Sequence, residues 1–513
     1  MALICGIIEI NNKTSYGLRN EKRFYPYAKS LPMFYVPTKK SFNPINLYCT
    51  IKFEKIDKNK YYGIIDRYIG EVGNIDTELE YLKFIATNNW KGNSKFKLND
   101  YFSDNTPDRK NLTHINAYSI DPKNCVDIDD ALSIEIIDKN ITKVYVHIAD
   151  VSSFINPNTE LDLEIRKRKE SIYLQKFQVN MIPDKLSINH ISLIEGKLSR
   201  AFTLELTYNN NKLDTYTFYK SLINVKNMNY EDCQLIIDKK KNKDLINLYN
   251  LGKILYEDKF EDKFEDKFED KFEDKFEDKF GITSNYNTHH LVEIFMIISN
   301  VCAAKEIKSY NSAIFRKQDK NYEKITHNIL IDFNPAVYTN NKDSSLTHDT
   351  LNEEIYTHFT SPMRRYIDII VHRILSNKYC NTNFDTDYDN NNNTVFIDEL
   401  NKEHKLIKKI SLTSQLYINI FNPEFKVCDN YKSIIVGFNE NKIKVYNKEI
   451  GILSVKLYDK KLRGLFEYTI DKNKYILFDK ENNKETYYML NQEINIKIAI
   501  TKLSEKKINT QII

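Results

Sequence analysis

The chain has 513 residues, 41% hydrophobic and 12% aromatic, which is enough for real cores and for about three folding units. Basic and acidic residues nearly cancel to a formal charge of +4, which neither demands nor excludes a nucleic-acid partner. No run approaches about 18 consecutive apolar residues, the seven cysteines form no CxxC pair, and "MALICGIIEI" lacks a basic leader. A soluble, intracellular, cytoplasmic protein is therefore expected, with reduced thiols, no zinc site and no membrane partner.

Residues 1–105 read as β-rich. "ICGIIEI-NNK-TSYGL" carries a hairpin signal, and "LPMFYVP", "NLYCTIKFEKI" and "KYYGIIDRYIG" read as short strands. "TELEYLKFIATNN" has helical spacing. Several short strands in so few residues suit a small barrel of the OB type. Residues 106–425 mix strands with longer helical patterns. "KVYVHIADVSSF" reads as a buried strand, "LDLEIRKRKESIYL" begins as a helix, and "HHLVEIFMIISNVCAAKEI" is apolar nearly all round, as a buried helix is.

The tetrapeptide EDKF repeats six times from Glu257 to Phe280. Its phenylalanines form a stripe at i, i+4 spacing; the array reads as an expansion that lengthens a surface helix, with a partner-binding helix as the alternative. Residues 426–513 return to alternation ("SIIVGFNENKIKVYNKEIGIL", "KYILFD", "INIKIAI") and suit a second OB-type barrel. The fold class expected is α+β and multi-domain, with a central mixed unit flanked by small barrels.

"SIDPKNCVDIDDALSI", Ser119 to Ile134, packs Asp121, Asp127, Asp129 and Asp130 between strand-like runs. An EF-hand loop counted from Asp121 would need Gly at Val126 and Glu at Leu132, so that explanation fails. A solvated acidic turn fits poorly with the interleaved Ile128, Ala131 and Leu132. Carboxylates crowded beside a core repel and desolvate one another unless a cation compensates. Hard oxygen ligands of this kind suit Mg²⁺ or Mn²⁺ and a phosphate-bearing substrate; a nucleotidyltransferase site is the rival reading. Downstream, "YTHFTSPMRRYIDIIVHRIL" sets Arg364 and Arg365 after a Thr-Ser-Pro turn, with Ser361 as a helix cap and Pro362 in the first turn. That is an anion site or an arginine pair making salt bridges.

These stretches, with "VYVHIADVSSFI" and "SIYLQKFQVNMIPDKLS", resemble the RNB catalytic domain of the ribonuclease II and ribonuclease R family, which includes the eukaryotic exosome nuclease. The resemblance runs from about Arg109 to Tyr417, and "GIIDRYIGEVGNIDTELEYL" is similar to the end of that family's second cold-shock barrel. It implies a central RNB catalytic domain (106–425, with the EDKF insertion at 257–280) flanked by OB-type barrels at 1–105, the first barrel truncated, and at 426–513. It implies processive 3′→5′ hydrolysis of single-stranded RNA to nucleoside 5′-monophosphates, with RNA-decay complexes as a further partner class.

By the same resemblance Asp121, Asp127, Asp129 and Asp130 hold magnesium, two ions with manganese as a substitute, and Asp129 is the residue whose loss abolishes cleavage. Arg364 contacts the scissile phosphate region, and Arg365, Ser361 and Glu293 are further RNA-binding residues. Tyr173 stacks on bases at the 3′ end; Tyr230 matches another family tyrosine, or is one of the chain's many structural tyrosines. The run Arg166–Glu170 lines the RNA path or forms a solvated helix face. Relatives commonly have two adjacent glutamates where this chain has Glu293 and Ile294, and a further glutamate has no counterpart in "KLIKKISLTSQLY". The strand with the second stacking aromatic is shortened to "GITSNY", so half of the base clamp has no assignable residue. These departures keep open an alternative, a catalytically weakened RNA-binding RNB relative.

Overall fold

A computed structural model describes residues 3–512 except 41, 88–89, 91–95, 97–107, 175–176, 266–285, 319–335, 385–389, 422–429, 448–450, 459–463, 472–473 and 503–506. The N-terminal strands β1 (Ile4–Ile8), β2 (Glu21–Pro26), β3 (Phe34–Pro37), β4 (Leu47–Asp57) and β5 (Lys60–Glu71) close into a barrel in the order β1-β2-β3-β5-β4. Alternation drives the closure, since Phe24, Phe34, Val36, Cys49 and Ile51 all point inward to one small core. The expected hairpin partner of β1 is corrected: "TSYGL" forms turns, and β1 pairs with β2 instead. Helix α1 (Ile75–Thr87) follows, with Tyr81 stacked on Tyr48.

The central unit is built on β6 (Lys110–Asn111), β7 (Ala117–Asp121), β8 (Asp130–Ile136), β9 (Ile141–Ala149), β12 (Leu198–Asn209) and β13 (Lys212–Asn229) in the order β12-β9-β8-β7-β13-β6; the short hairpin β10 (Ile172–Leu174) and β11 (Phe177–Val179) stands apart from this sheet. The 18-residue β13 pairs with β12 along its first part and with β7 along its last. Helices α2 (Glu160–Arg168), α3 (Tyr230–Asp238), α4 (Lys243–Glu265), α5 (Thr288–Ile307), α6 (Tyr366–Tyr379) and α7 (Asn390–Phe421) complete it. Phe202, Phe218 and Phe359 meet edge to face beneath α6, where such pairs add to area burial.

Helix α4 carries the EDKF array as far as Glu265, and Phe260 packs beside Ile297, Val301 and Tyr356. The rest of the array lies outside the described residues. The run Arg166–Glu170 is only in part a solvated face: Arg168 and Lys169 are buried, bonded to Glu164 and Glu403, and Glu170 meets His404, while Lys167 is exposed. Beyond β14 (Ile314–Lys317) and β15 (Val337–Asn340), the C-terminal residues form a five-stranded barrel-like sheet, β16 (Asn430–Asn439), β17 (Lys442–Asn447), β18 (Gly451–Lys456), β22 (Glu493–Lys502) and β23 (Lys507–Ile512). A three-stranded sheet, β19 (Phe466–Asp471), β20 (Lys474–Asp479) and β21 (Lys484–Met489), is inserted in it. Small barrel-type sheets thus flank a central α+β unit. Among the described residues no helix is long and apolar enough to cross a membrane.

Two buried polar groups tie the central sheet together. Asp150, just past β9, pairs with Lys220 of β13 and, at 2.8 Å, with Arg109. His147 bridges strands, its ring nitrogens 2.9 Å from Ser133 and 2.9 Å from Thr203. Burial lowers its imidazole from 6.5 to about 3. Because the folded value is depressed, stability is fully present above about 6.5 and is lost as pH falls towards the folded value, by about 1.4 kcal/mol per unit. His147→Gln is therefore expected to melt with a smaller drop in midpoint between pH 7 and pH 5 than wild type. Equal drops in the two proteins would contradict this origin of the acid sensitivity.

Candidate functional site

Strand register places the acids. Antiparallel pairing of Tyr118 with Leu132 brings the end of β7, Asp121, beside the start of β8, Asp130, and the 122–129 loop closes that end. Parallel pairing of β7 with β13 sets Asp121 level with Asn229, so Tyr230 follows immediately at the start of α3. The loop is pinned from beneath by Ser192, whose hydroxyl accepts from the Ile128 amide at 2.9 Å and donates to the Val126 carbonyl at 2.8 Å.

Asp129 is 6% exposed. Its Oδ1 accepts from the Met363 amide at 3.0 Å, and its Oδ2 lies 3.5 Å from Arg364 Nε. The Thr-Ser-Pro turn is thereby docked on the acidic loop, across 234 positions of sequence. Arg364 remains 45% exposed at its side chain and bonds Ser361 Oγ at 2.8 Å. Asp127 accepts from Gln178 at 2.8 Å and from the Tyr173 hydroxyl at 3.4 Å; Tyr173 and Gln178 are direct cross-strand partners in the hairpin β10–β11.

Two expectations change here. Helix α6 begins at Tyr366, so Ser361 is not its cap and Pro362 is not in its first turn. Asp368, inside α6, anchors the preceding turn instead, accepting from the Ser361 amide at 2.7 Å and from the Arg365 guanidinium at 2.9 Å. Arg365 is consequently engaged with Asp368 and holds the turn. The turn is further sewn to the hairpin approach, since Ser171 donates to the Arg364 carbonyl and Tyr366 to that of Lys169.

Burial sets the electrostatics. It pushes the Asp121 carboxyl up to about 6, with the charge of Asp127 adding to the effect. It raises Asp129 to about 7 against the opposing pull of Arg364 and the Met363 amide. Asp130 is raised well above the usual range by burial and then by Asp121 and Asp129. Asp121 Oδ2 is buried with no hydrogen-bond partner. The donor chemistry fits a hard divalent cation, which would relieve both the repulsion and the orphaned oxygen. Among the described residues no three His, Cys, Asp or Glu side chains are grouped to hold a metal ion. Asp127 and Asp129 are held by Gln178, Tyr173, Met363 and Arg364 instead.

Tyr230 lies against this acidic end, its hydroxyl raised by burial and then by Asp130 and Asp121, and its ring stacks on His289 with centroids 3.7 Å apart. Glu293 is exposed on the same helix, α5. Gln178, Ser192 and His289 escaped sequence reasoning. Only Gln178 carried a signal, its place opposite Tyr173 in a short hairpin.

The RNB domain family model matches residues 109–334 and 313–379. This chain belongs to the RNB domain family. Human exosome complex exonuclease RRP44 is 27% identical to this RNB protein over 449 residues, 72% of this chain and 46% of that one. The chain spans about half the length of the curated relatives it matches. Among solved structures, Mycoplasma genitalium RNase R in complex with ribose methylated single-stranded RNA superposes with a TM-score of 0.74 at 17% identity, covering 100% of this chain and 90% of that one. Yeast Ssd1, described as a pseudonuclease, superposes at 0.65 and 17% identity, covering 98% of this chain and 68% of that one.

Ser192 offers a test of the loop's support. Ser192→Ala leaves the Ile128 amide and Val126 carbonyl without their partner, and is expected to cost about 1–3 kcal/mol. Denaturant unfolding reads the loss, and amide exchange at Ile128 is expected to quicken; unchanged exchange would refute the pinning.

Proposed function

We propose that this RNB protein hydrolyses single-stranded RNA from its 3′ end, releasing nucleoside 5′-monophosphates. The observation that supports the reading most is the docking of Asp129 on Met363 and Arg364. It sets a half-exposed guanidinium beside a cluster of desolvated carboxylates, the two charges a phosphodiester hydrolase requires. Asp121, Asp127, Asp129 and Asp130 would hold Mg²⁺, two ions by family resemblance, with Mn²⁺ as a substitute. When bound, the metal lowers the pKa of water and neutralises charge on the phosphoryl oxygens.

The chain's own residues do the rest. Arg364 exchanges Asp129 for a phosphate oxygen, a charge-assisted contact of the kind guanidinium makes well. Arg365 and Ser361, through Asp368, keep that turn from following the substrate. Tyr173 stacks a base, a contact that tolerates any sequence. Gln178 orients Asp127. A second reading, RNA binding without turnover, is favoured by the engagement of Asp127 and Asp129 with protein donors, and the same experiment separates the two.

With 5′-labelled RNA and magnesium, the wild type is expected to yield a short labelled end product that EDTA suppresses; full-length RNA throughout would support the binding reading. Asp129→Asn is expected to retain RNA affinity within about twofold while hydrolysis disappears, because the amide still accepts from Met363 but supplies no charge. Turnover at the wild-type rate would overturn the assignment of Asp129. Arg364→Ala is expected to lower kcat by about 10²–10³ with a smaller change in KM. A defect confined to KM would place Arg364 in binding alone.

A further inference from the structure

The structure carries an exposed imidazole at the acidic end of the sheet. His289 stands in the first turn of α5, where the Asn287 side chain accepts from the His289 and His290 amides and fixes the start of the helix. Thr288 ties this turn to α3, its hydroxyl donating to the Tyr230 carbonyl at 3.1 Å and its amide to Gln234 at 3.1 Å. The outcome is a stack, Tyr230 and His289 nearly parallel at 18° with centroids 3.7 Å apart. No space remains between them, so a third ring can only add to an outer face. Tyr230 is half-buried while His289 is exposed; the imidazole therefore offers the solvent-side face.

The position of the stack matters as much as its shape. Asn229 pairs in register with Asp121, and the hydroxyl of Tyr230 feels the charges of Asp130 and Asp121. The other aromatic of the site, Tyr173, bonds Asp127 instead. The acids thus have an aromatic group at two places, Tyr173 at the loop residue and the Tyr230–His289 stack at the strand ends.

We infer that His289, backed by Tyr230, is a nucleobase platform for one of the two nucleotides that flank the scissile phosphate. The assignment rests on the exoribonuclease reading and goes beyond it by naming a base-contacting residue outside the hairpin. Burial also lowers the imidazole of His289, so the ring stacks as a neutral aromatic near neutrality. Stacking on such a surface discriminates little between bases, in keeping with an enzyme that steps through any sequence.

The experiment uses the full chain, short single-stranded RNAs, and the variants His289→Ala and His289→Phe. Equilibrium binding is measured by anisotropy in EDTA, so that it reads the platform whether or not the protein turns over. His289→Ala is expected to bind an intact RNA about tenfold more weakly, and His289→Phe to restore the affinity. Two further RNAs lack the base at the terminal or at the penultimate position. One of them is expected to weaken wild type by the same factor and to leave His289→Ala unaffected. Full sensitivity of His289→Ala to both abasic RNAs, or unchanged affinity for intact RNA, would overturn the platform. In magnesium, His289→Ala is expected to stop at end products longer than those of wild type. Wild-type RNA left intact in magnesium, with the binding pattern present, would refute the exoribonuclease reading and leave the platform standing.

Discussion

A carboxylate removed from water sets the terms for the centre of this molecule. Burying a charge is costly unless hydrogen bonds and an opposite charge meet it, and Asp129 meets both in one place, the Met363 amide and the Arg364 guanidinium. The backbone amide can serve only if the Thr360–Arg365 turn is held rigidly against the loop. That rigidity comes from Asp368, which reaches back from α6 to the Ser361 amide and to Arg365. Two carboxylates from distant parts of the chain therefore share one turn, one on each side.

The scaffold below does the same for the remaining acids. A strand end is a natural place for aspartate, because strand interiors disfavour it. Asp121 and Asp130 occupy such ends on neighbouring antiparallel strands, and the bonds from Ser192 keep the intervening loop from relaxing outward. Without that support, the mutual repulsion that raises Asp121 and Asp130 would be relieved simply by splaying.

Much of this was legible in the sequence, and the parts that were not share a cause. The acid spacing, the helices over α1, α5 and α6, and the β-rich ends all follow from local periodicity, and local periodicity is what a sequence displays. The start of α6 was misplaced because Ser361 and Pro362 are good local cap residues, while Asp368, seven positions away from Ser361, won the amide. "TSYGL" looked like a hairpin arm because nothing local reveals that β1 prefers β2. Arg168 and Lys169 read as part of a basic surface, but Glu164 and Glu403 draw them inside, while their neighbour Lys167 stays exposed. Gln178, Ser192 and His289 act through partners 51, 64 and 59 positions distant (178 − 127, 192 − 128, 289 − 230), beyond any reading of spacing.

The four aspartates, identical in the sequence, divide into two kinds in the fold. Asp127 and Asp129 are satisfied by protein donors, so a cation or a phosphate that engages them must displace or share Gln178, Tyr173 or Arg364. Asp121 and Asp130 are burdened by burial and by acidic neighbours, and Asp121 keeps an oxygen with no donor at all. Positive charge gains most where compensation is poorest, at the strand ends, and the half-exposed Arg364 stands where it can change partners without unfolding its turn. The division between satisfied and unsatisfied carboxylates, rather than their number, is what gives this site its electrostatic direction.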